Sequence, residues 1–306
     1  MNQESLLQSF PTIGEYKTSE DIIAKLEELE EPEAIAFTKT QNQSKDLENF
    51  LNFVGGVKNQ PWYPATHQYG YIAPRQPGSS KPQPILHPSA IEADPTLKNS
   101  RINIRLDRLR VYKYPGGGTH NVMVTFEAQN QVGNVQEAVS FSQTYRVPEG
   151  NSAGIAGYAI FLGLNVGSEG IKFKGVTINV KNEEDEAVLE ALESSTFQNG
   201  LKLLTTAQPA IAPFTAISLG LVKLLAKRNR NVAVQKFDLG LDFDSAALAI
   251  RLAEGNYIAV QVPHETAIDW NKWVYKPDLG AIVHKADDSL LEYNYLVFRV
   301  SRYQDN

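Results

Sequence analysis

The chain has 306 residues and a mass of 33.9 kDa, with 29 Lys plus Arg, 35 Asp plus Glu and no cysteine. An apolar fraction of 42% with a charged fraction of 21% is typical of a folded globular protein and excludes global disorder. The absence of cysteine excludes disulfides, thiolate metal sites and a cysteine nucleophile. A net charge of −6 argues against general nucleic-acid binding. Because the first 30 residues do not resemble a signal peptide, we expect a cytoplasmic protein.

Charge is segregated along the chain. Residues 1–50 carry 4 basic and 11 acidic residues, and residues 237–288 carry 4 basic and 9 acidic residues. Residues 95–115 carry 6 basic residues and 1 acidic residue, and residues 223–236 carry 5 basic residues and no acidic residue. Solvated surface explains such runs in many proteins, but opposite charges on separate segments also predict self-association that salt would weaken.

The N-terminal region is expected to combine helices with a proline-rich arm. Amphipathic spacing predicts one helix over residues 19–29, stopped by Pro32, and a second over residues 46–54, capped by Gly55-Gly56. Residues 59–95 contain eight prolines, a density that disfavours helices and central strands. We therefore expect an extended arm here, packed on the body of the protein or on a neighbouring subunit.

From residue 101 onwards, apolar and polar residues alternate as they do in strands. Residues 102–106 and 122–126 flank the turn sequence Pro-Gly-Gly-Gly at 115–118, which predicts an antiparallel hairpin. Changes in the apolar parity predict β-bulges at Gly175 and between Val234 and Phe237. Further strands are predicted at 139–147, 158–164, 247–252, 257–262, 280–284 and 293–301.

These elements predict a mainly β fold. A helical insert is expected at about residues 182–230, and the strands show no regular alternation with helices. The pattern favours an antiparallel β-sandwich with an inserted helical hairpin and a proline-rich N-terminal arm. We expect two regions: residues 1–94 with the acidic helix and the arm, and residues 95–306 with the sandwich.

One motif is compatible with nucleophilic catalysis. Gly150-Asn-Ser-Ala-Gly154 matches G-x-S-x-G, which in α/β hydrolases exposes a serine on a strand-to-helix turn. Ser152 would then be the nucleophile, with His264 or His284 as the base. The surrounding sequence does not predict a strand before this motif and a helix after it, so a loop is the simpler interpretation.

Three aspartates are weak candidates for metal ligands. Asp238, Asp242 and Asp244 share one parity on a predicted strand, and Ca²⁺ prefers carboxylate oxygens. Acidic loops on a β-sandwich resemble, in architecture only, C2 domains, a resemblance that implies Ca²⁺-dependent lipid binding. No motif carries this resemblance, so it assigns no ligands, and the alternative is a solvated strand face. No other cofactor is expected.

The uncharged segment 203–222 is long enough to span a bilayer. Its two prolines and several hydroxyl side chains favour a buried helix covering the sandwich. The alternative is conditional insertion into a membrane, as in a pore-forming protein.

The aromatic residues are the best candidates for a binding surface. Two of the three tryptophans lie close together in the sequence, and a second aromatic pair lies in the arm; the candidates are Trp270, Trp273, Tyr275, Trp62 and Tyr63. Packing at the rim of the sandwich is the alternative. Four arginines on one predicted strand are expected to pair with the acidic N-terminal helix or with an acidic patch on another copy: Arg101, Arg105, Arg108 and Arg110.

Three functions therefore stay open. The first is a non-enzymatic interaction or structural protein that binds itself or another protein through the sandwich. The second is a membrane-active or lipid-binding sandwich, Ca²⁺-dependent or pore-forming, and the third is a serine hydrolase. The balance of these patterns leans against an enzyme.

Overall fold

The computed structural model describes residues 10–41, 47–75, 78–132, 135–155, 157–181, 185, 200–203, 220, 223–225, 228, 230–243 and 250–304. Three α-helices lie near the N-terminus: α1 (Ser19–Glu28), α2 (Pro32–Gln41) and α3 (Leu47–Lys58); residues 220 and 223–225 are helical as well. The strands are β1 (His67–Ile72), β2 (Gln83–Pro84), β3 (Arg101–Val111), β4 (Thr119–Val132), β5 (Val135–Pro148), β6 (Asn151–Ser152), β7 (Tyr158–Asn165), β8 (Gly170–Val180), β9 (Leu201–Lys202), β10 (Asn231–Asp242), β11 (Ile250–Arg251), β12 (Gly255–Gln261), β13 (Trp273–Lys276), β14 (Ala281–His284) and β15 (Tyr295–Arg302).

The first predicted helix is present, but two helix ends differ from the prediction. Helix α1 is capped by Thr18, whose hydroxyl accepts a hydrogen bond from the Asp21 backbone at 3.1 Å. Pro32 begins α2 instead of only ending α1, because the first helical position needs no backbone donor. Helix α3 continues through Gly55-Gly56, so the predicted cap at that pair is wrong.

The strands of the described residues form three sheets, which confirms the mainly β, sandwich-like prediction. The larger sheets have the strand orders β1-β12-β15-β3-β7-β9, with β6 also paired to β3, and β11-β10-β8-β4-β5. The third sheet has the order β14-β13-β2. All long ladders among the described residues are antiparallel, and the parallel pairings are short: β10 with β11, β7 with β9, and the single bridge between Thr12 and Ala233.

The predicted hairpin across residues 115–118 does not form. Strand β3 pairs with β15 and β7 in the seven-stranded sheet, whereas β4 pairs with β5 and β8 in the five-stranded sheet. The Pro-Gly-Gly-Gly turn therefore carries the chain from one sheet to the other. A predicted bulge is confirmed in β10, where the register shifts between Ala233 and Gln235, but the register of β8 is continuous through Gly175.

Two hydrophobic cores cover opposite faces of the seven-stranded sheet. Tyr257 and Phe298 belong to the large core between this sheet and the five-stranded sheet. Their strand neighbours Ile258 and Val297 belong to a smaller core shared with Trp270 and the three-stranded sheet. Strands β12 and β15 are therefore apolar on both faces. The three-stranded sheet lies on the outer face of the seven-stranded sheet.

The N-terminal helices belong to the same core as the sandwich. Leu26 and Leu29 of the α1 region are fully buried in the large core. Glu15 forms an ion pair with Lys236, and Glu30 pairs with Arg230 at 2.9 Å. The acidic N-terminal segment thus contacts the basic segment 223–236, and these pairs do not involve the arginines of β3. Whether residues 1–94 form a separate domain stays a prediction.

The predicted helical insert at 182–230 and the uncharged segment 203–222 lie almost entirely outside the described residues. Within that insert, Leu203 donates its backbone N–H to Leu162 at 2.7 Å, and the buried Asp185 pairs with Arg228 at 3.1 Å. No helix in the described part of the chain has both the length and the apolar composition needed to cross a bilayer.

Substitution of Gly116 by alanine is expected to loosen the contact between α1 and the sandwich. Gly116 has a φ of +86°, and an added Cβ would lie 2.4 Å from the Leu29 carbonyl oxygen. The buried Glu31 carboxylate also accepts the Gly116 backbone N–H. We expect a loss of about 2 kcal/mol or more in the free energy of unfolding, measured in urea, from left-handed strain plus this clash.

Gly118→Ala is the matched control for this prediction, because Gly118 has a φ of +82° and open space around its Cβ position. It carries the backbone strain without the clash and should cost about 1–2 kcal/mol. Equal losses for the two variants would show that the turn does not hold α1 in place.

Candidate functional site

A β-bulge places two charged side chains side by side on the outer face of the seven-stranded sheet. Strand β3 pairs Leu106 with Phe298 but Arg108 with Val297, so Asp107 is the extra residue. Leu106 and Leu109 both lie in the large core, which leaves Asp107 and Arg108 facing away from it. The bulge therefore directs a carboxylate and a guanidinium to the same side of the sheet.

These residues line a cleft of about 460 Å³ between the seven-stranded sheet and the β13–β14 hairpin. The small apolar core ends here, since Ile258 of β12 pairs with Val297 of β15, and the next strand, β3, places Arg108 beside Val297. The charged or polar side chains at its edge are Arg75, Gln83, Asp107, Arg108, Glu254, Asn256, Tyr275, Arg299 and Ser301. The cleft is thus polar and rich in guanidinium groups.

One arginine of the cleft is already neutralised. Both Nε and Nη2 of Arg299 donate to Oδ2 of Asp107, at 2.9 and 2.7 Å. The Asp107 side chain is only 10% exposed, so this pair forms part of the cleft wall. Charge-assisted pairs of this kind are among the stronger hydrogen-bonded contacts in proteins. Arg299 and Asp107 therefore hold each other in place.

Arg108 has a different environment. A Cβ added to Gly280 would lie 1.7 Å from Nη2 of Arg108, so the guanidinium packs directly against this glycine. The Nε of Arg108 is buried without a hydrogen-bond partner among the described residues. Burial raises the pKa of Tyr275, and the adjacent Arg108 guanidinium opposes this rise. Arg108 thus presents a positive charge that is partly removed from water and has no carboxylate partner among the residues that the structure describes.

A second depression of about 370 Å³ lies further along strands β3 and β15. It is lined by Asn103, Arg105, Leu162, Lys202, Arg302, Tyr303 and Gln304. Arg105 donates from Nη1 to the Gly157 carbonyl at 3.2 Å, and Gly157 itself lines the first cleft. The two depressions therefore adjoin. Together they form one surface, which we call the arginine face.

The arginine face carries an excess of positive charge. Arg302 lies 3.6 Å from Asp94 and 3.7 Å from Glu254, so its charge is balanced within the chain. Four further cations have no carboxylate within 4 Å in the described ranges: Arg75, Arg105, Arg108 and Lys202. A negatively charged ligand would find four unbalanced cations on this face.

Arg101 and Arg110 of the predicted arginine set serve structural contacts. Arg110 is buried and donates to the Leu291 and Gly150 carbonyls at 3.3 and 2.9 Å. Arg101 donates to the Leu203 carbonyl at 2.7 Å and lies 4.1 Å from the centre of the Tyr303 ring. These two residues tie β3 to its surroundings.

The structure does not support the environment that a serine nucleophile would need. Ser152 lies on β6, which pairs with β3 opposite Arg110, and the chain then continues without a helix. Nδ1 of His264 contacts Thr266, and Nδ1 of His284 lies 3.4 Å from Asp287. Neither histidine is hydrogen-bonded to Ser152 among the residues described.

Two of the three aspartates proposed as Ca²⁺ ligands, Asp238 and Asp242, lie within the described residues. Asp238 forms an ion pair with Lys174 at 3.0 Å on the neighbouring strand. Asp242 ends β10, four residues further along, and Asp244 lies outside the described residues. Where side chains are described, no three of His, Asp or Glu are arranged to hold a metal ion.

The five candidate aromatic residues are divided between the cores and the surface. Trp62 is 1% exposed in the large core, and Trp270 is 7% exposed in the small core, where its Nε1 donates to the Tyr69 carbonyl. Neither ring is free to contact a partner. Tyr63, Trp273 and Tyr275 are half-buried, and of the five only Tyr275 lines the arginine cleft.

Several residues of the cleft were not candidates from the sequence. Arg299 and Asn256 come from β15 and β12, and Gly280 comes from the β13–β14 turn. Only the pairing of β3 with β15 brings them to Arg108. One signal was present in the sequence: the polar alternation Arg101, Asn103, Arg105, Asp107 changes parity at Arg108. Comparisons of the chain with protein-family models, curated proteins and solved structures found no match.

Proposed function

We propose that this chain is a non-enzymatic binding protein that recognises an acidic polypeptide through the arginine face. The observation that carries this proposal is the set of four cations that have no carboxylate partner in the described part of the chain and lie on one continuous surface. Positive surface patches steer and hold partners of opposite charge, and arginine is enriched in protein interfaces. We propose a cytoplasmic location as well, for which the absence of cysteine is the supporting observation.

The dimensions of the face fit an extended segment. From Asn103 to Arg108 the chain advances five residues along β3, about 17 Å at the usual rise of a strand. An extended peptide of seven residues is long enough to cover this distance. A heptapeptide with a carboxylate on each residue is therefore a suitable probe, because like charges also keep it extended.

Fluorescein-labelled heptaglutamate is expected to bind at 50 mM NaCl and to bind more weakly at 500 mM NaCl, as fluorescence anisotropy would show. The double variant Arg105→Gln/Lys202→Gln should weaken this binding about fivefold, since two charge contacts on a solvent-accessible face contribute about 1 kcal/mol in total. Heptalysine should not bind.

The control variant Lys17→Gln/Lys58→Gln removes the same charge from exposed positions outside the face. It should bind heptaglutamate nearly as well as the unmodified protein. If both double variants weaken binding equally, or if heptaglutamate does not bind at low salt, the arginine face is not the binding surface.

Light scattering of the protein alone tests whether the acidic polypeptide belongs to a second copy. A dimer or larger species at low salt that Arg105→Gln/Lys202→Gln converts to a monomer would assign it to another copy of this chain. A monomer at both salt concentrations assigns it to a different protein.

A further inference from the structure

Arg108 differs from the other cations of the arginine face in how firmly it is placed. Arg75 and Lys202 are exposed, where long side chains can adopt several rotamers, and the half-buried Arg105 is held by one hydrogen bond to the Gly157 carbonyl. Arg108 follows the bulge residue Asp107, packs against Gly280 and contacts Tyr275. Its position is therefore restricted by the backbone of two strands and one turn.

The surroundings of Arg108 favour an anion in the cleft. Its Nε is buried without a partner in the described part of the chain, and removing a charge from water without pairing it costs free energy. Asp107, the nearest carboxylate in the sequence, is held by two hydrogen bonds from Arg299. An anion that entered the cleft would supply the negatively charged partner that Arg108 lacks among the described residues.

Gly280 is the residue that makes room for this guanidinium. Its φ is +56°, and the Cβ of any other residue would overlap Nη2 of Arg108. Because Gly280 carries no charge itself, replacing it changes the position of Arg108 without changing the electrostatic charge of the face.

We propose that the cleft is an anchor subsite in which Arg108, seated against Gly280, binds one carboxylate group of the acidic polypeptide. This inference rests on the proposed function. It identifies the cleft as the part of the arginine face that selects a ligand by its geometry. The planar guanidinium matches a carboxylate, and a volume of about 460 Å³ suits a side chain or a small anion.

The decisive variant is Gly280→Ala, tested with fluorescein-labelled heptaglutamate. We expect it to weaken binding about tenfold or more, as Arg108→Gln does, because both remove the positioned guanidinium. Arg108→Lys should not restore binding, since an ammonium group lacks the planar pair of donors. Gly118→Ala, at a positive-φ glycine outside the cleft, is the control and should bind normally.

Tyr275→Phe is a second variant that tests the anchor even if Gly280→Ala does not fold. It removes only the hydroxyl that contacts Arg108, and it should weaken binding a few-fold while the circular dichroism spectrum stays unchanged. If Gly280→Ala and Tyr275→Phe are both folded and bind as the unmodified protein does, the anchor is refuted. The proposed function still holds in that case if Arg105→Gln/Lys202→Gln weakens binding.

Competition experiments test the chemical class of the anchored group. Succinate should displace heptaglutamate from the unmodified protein at lower concentrations than inorganic phosphate does. Gly280→Ala should abolish this difference. Stronger competition by inorganic phosphate would overturn the carboxylate assignment, and equal competition by both anions would show that only ionic strength acts.

Discussion

Replacement of Trp62 by alanine is expected to lower the free energy of unfolding by about 3–5 kcal/mol, the range for removing a buried tryptophan. The ring is 1% exposed in the large core, and its backbone carbonyl accepts a hydrogen bond from Gln261 at 3.1 Å. Urea unfolding followed by circular dichroism measures the loss without relying on tryptophan fluorescence.

Two further variants sharpen this prediction. Trp62→Phe should cost less than Trp62→Ala, because it keeps much of the packing and removes an indole N–H that has no partner among the described residues. Tyr63→Ala, at the half-buried neighbour, should also cost less. Unchanged stability in Trp62→Ala would contradict the core position and would restore Trp62 as a candidate for the binding surface.

Acid is expected to destabilise the protein through two buried histidines. Burial lowers the pKa of His67 to about 4, although contacts with Ala65 and Gln235 oppose it. Burial lowers the pKa of His120 to about 4 as well, assisted by the charge of Lys181 and opposed by Asn179. Both side chains are neutral in the folded protein at pH 7.

The sign of the effect follows from the unfolded chain, in which histidine has a pKa of about 6.5. Between pH 6.5 and 4 the unfolded chain binds protons that the folded protein does not bind, so stability is complete above 6.5 and decreases toward 4. At about 1.4 kcal/mol for each pKa unit, each histidine accounts for about 3 kcal/mol over this range.

Urea unfolding at several pH values between 4.5 and 8 tests the histidine prediction. The variants His67→Gln and His120→Asn should each reduce the slope of unfolding free energy against pH, whatever their stability at pH 8. His264→Gln, at an exposed position, is the control and should keep the original slope. Identical slopes for all four proteins would show that the buried histidines do not determine acid stability.

The local elements of this fold could be predicted because their signals are local. The apolar alternation of β3 and β8 and the apolar runs of β7, β12 and β15 mark strands wherever they pair, and the capped amphipathic pattern marks α1. The sequence does not predict helix α2, because Pro32 is typical of a helix end, while proline is also favoured at the first position of a helix. Whether a proline ends one helix or begins the next depends on the backbone conformation of the residues before it.

The pairing of strands could not be predicted in the same way. A glycine-rich turn between two alternating segments predicts a hairpin, but residues 115–118 connect two different sheets. The reason lies outside those segments: β15, almost two hundred residues later, pairs with β3, and β8 pairs with β4. The residues of the turn at 115–118 do not reveal these pairings, because the partner strands are distant in the sequence.

The sequence by itself determined that this protein is a mainly β chain without thiol chemistry, with basic residues concentrated on the strand that became β3. Composition and alternation are sufficient for those conclusions. The tertiary structure alone decided which charges are balanced, because Glu15 and Glu30 meet Lys236 and Arg230 through folding. It also decided that Trp62 and Trp270 lie in cores, whereas Arg108 faces a cleft. The burial of a side chain and the pairing of two charges depend on all the elements that pack together, so neither can be derived from a single segment of the sequence.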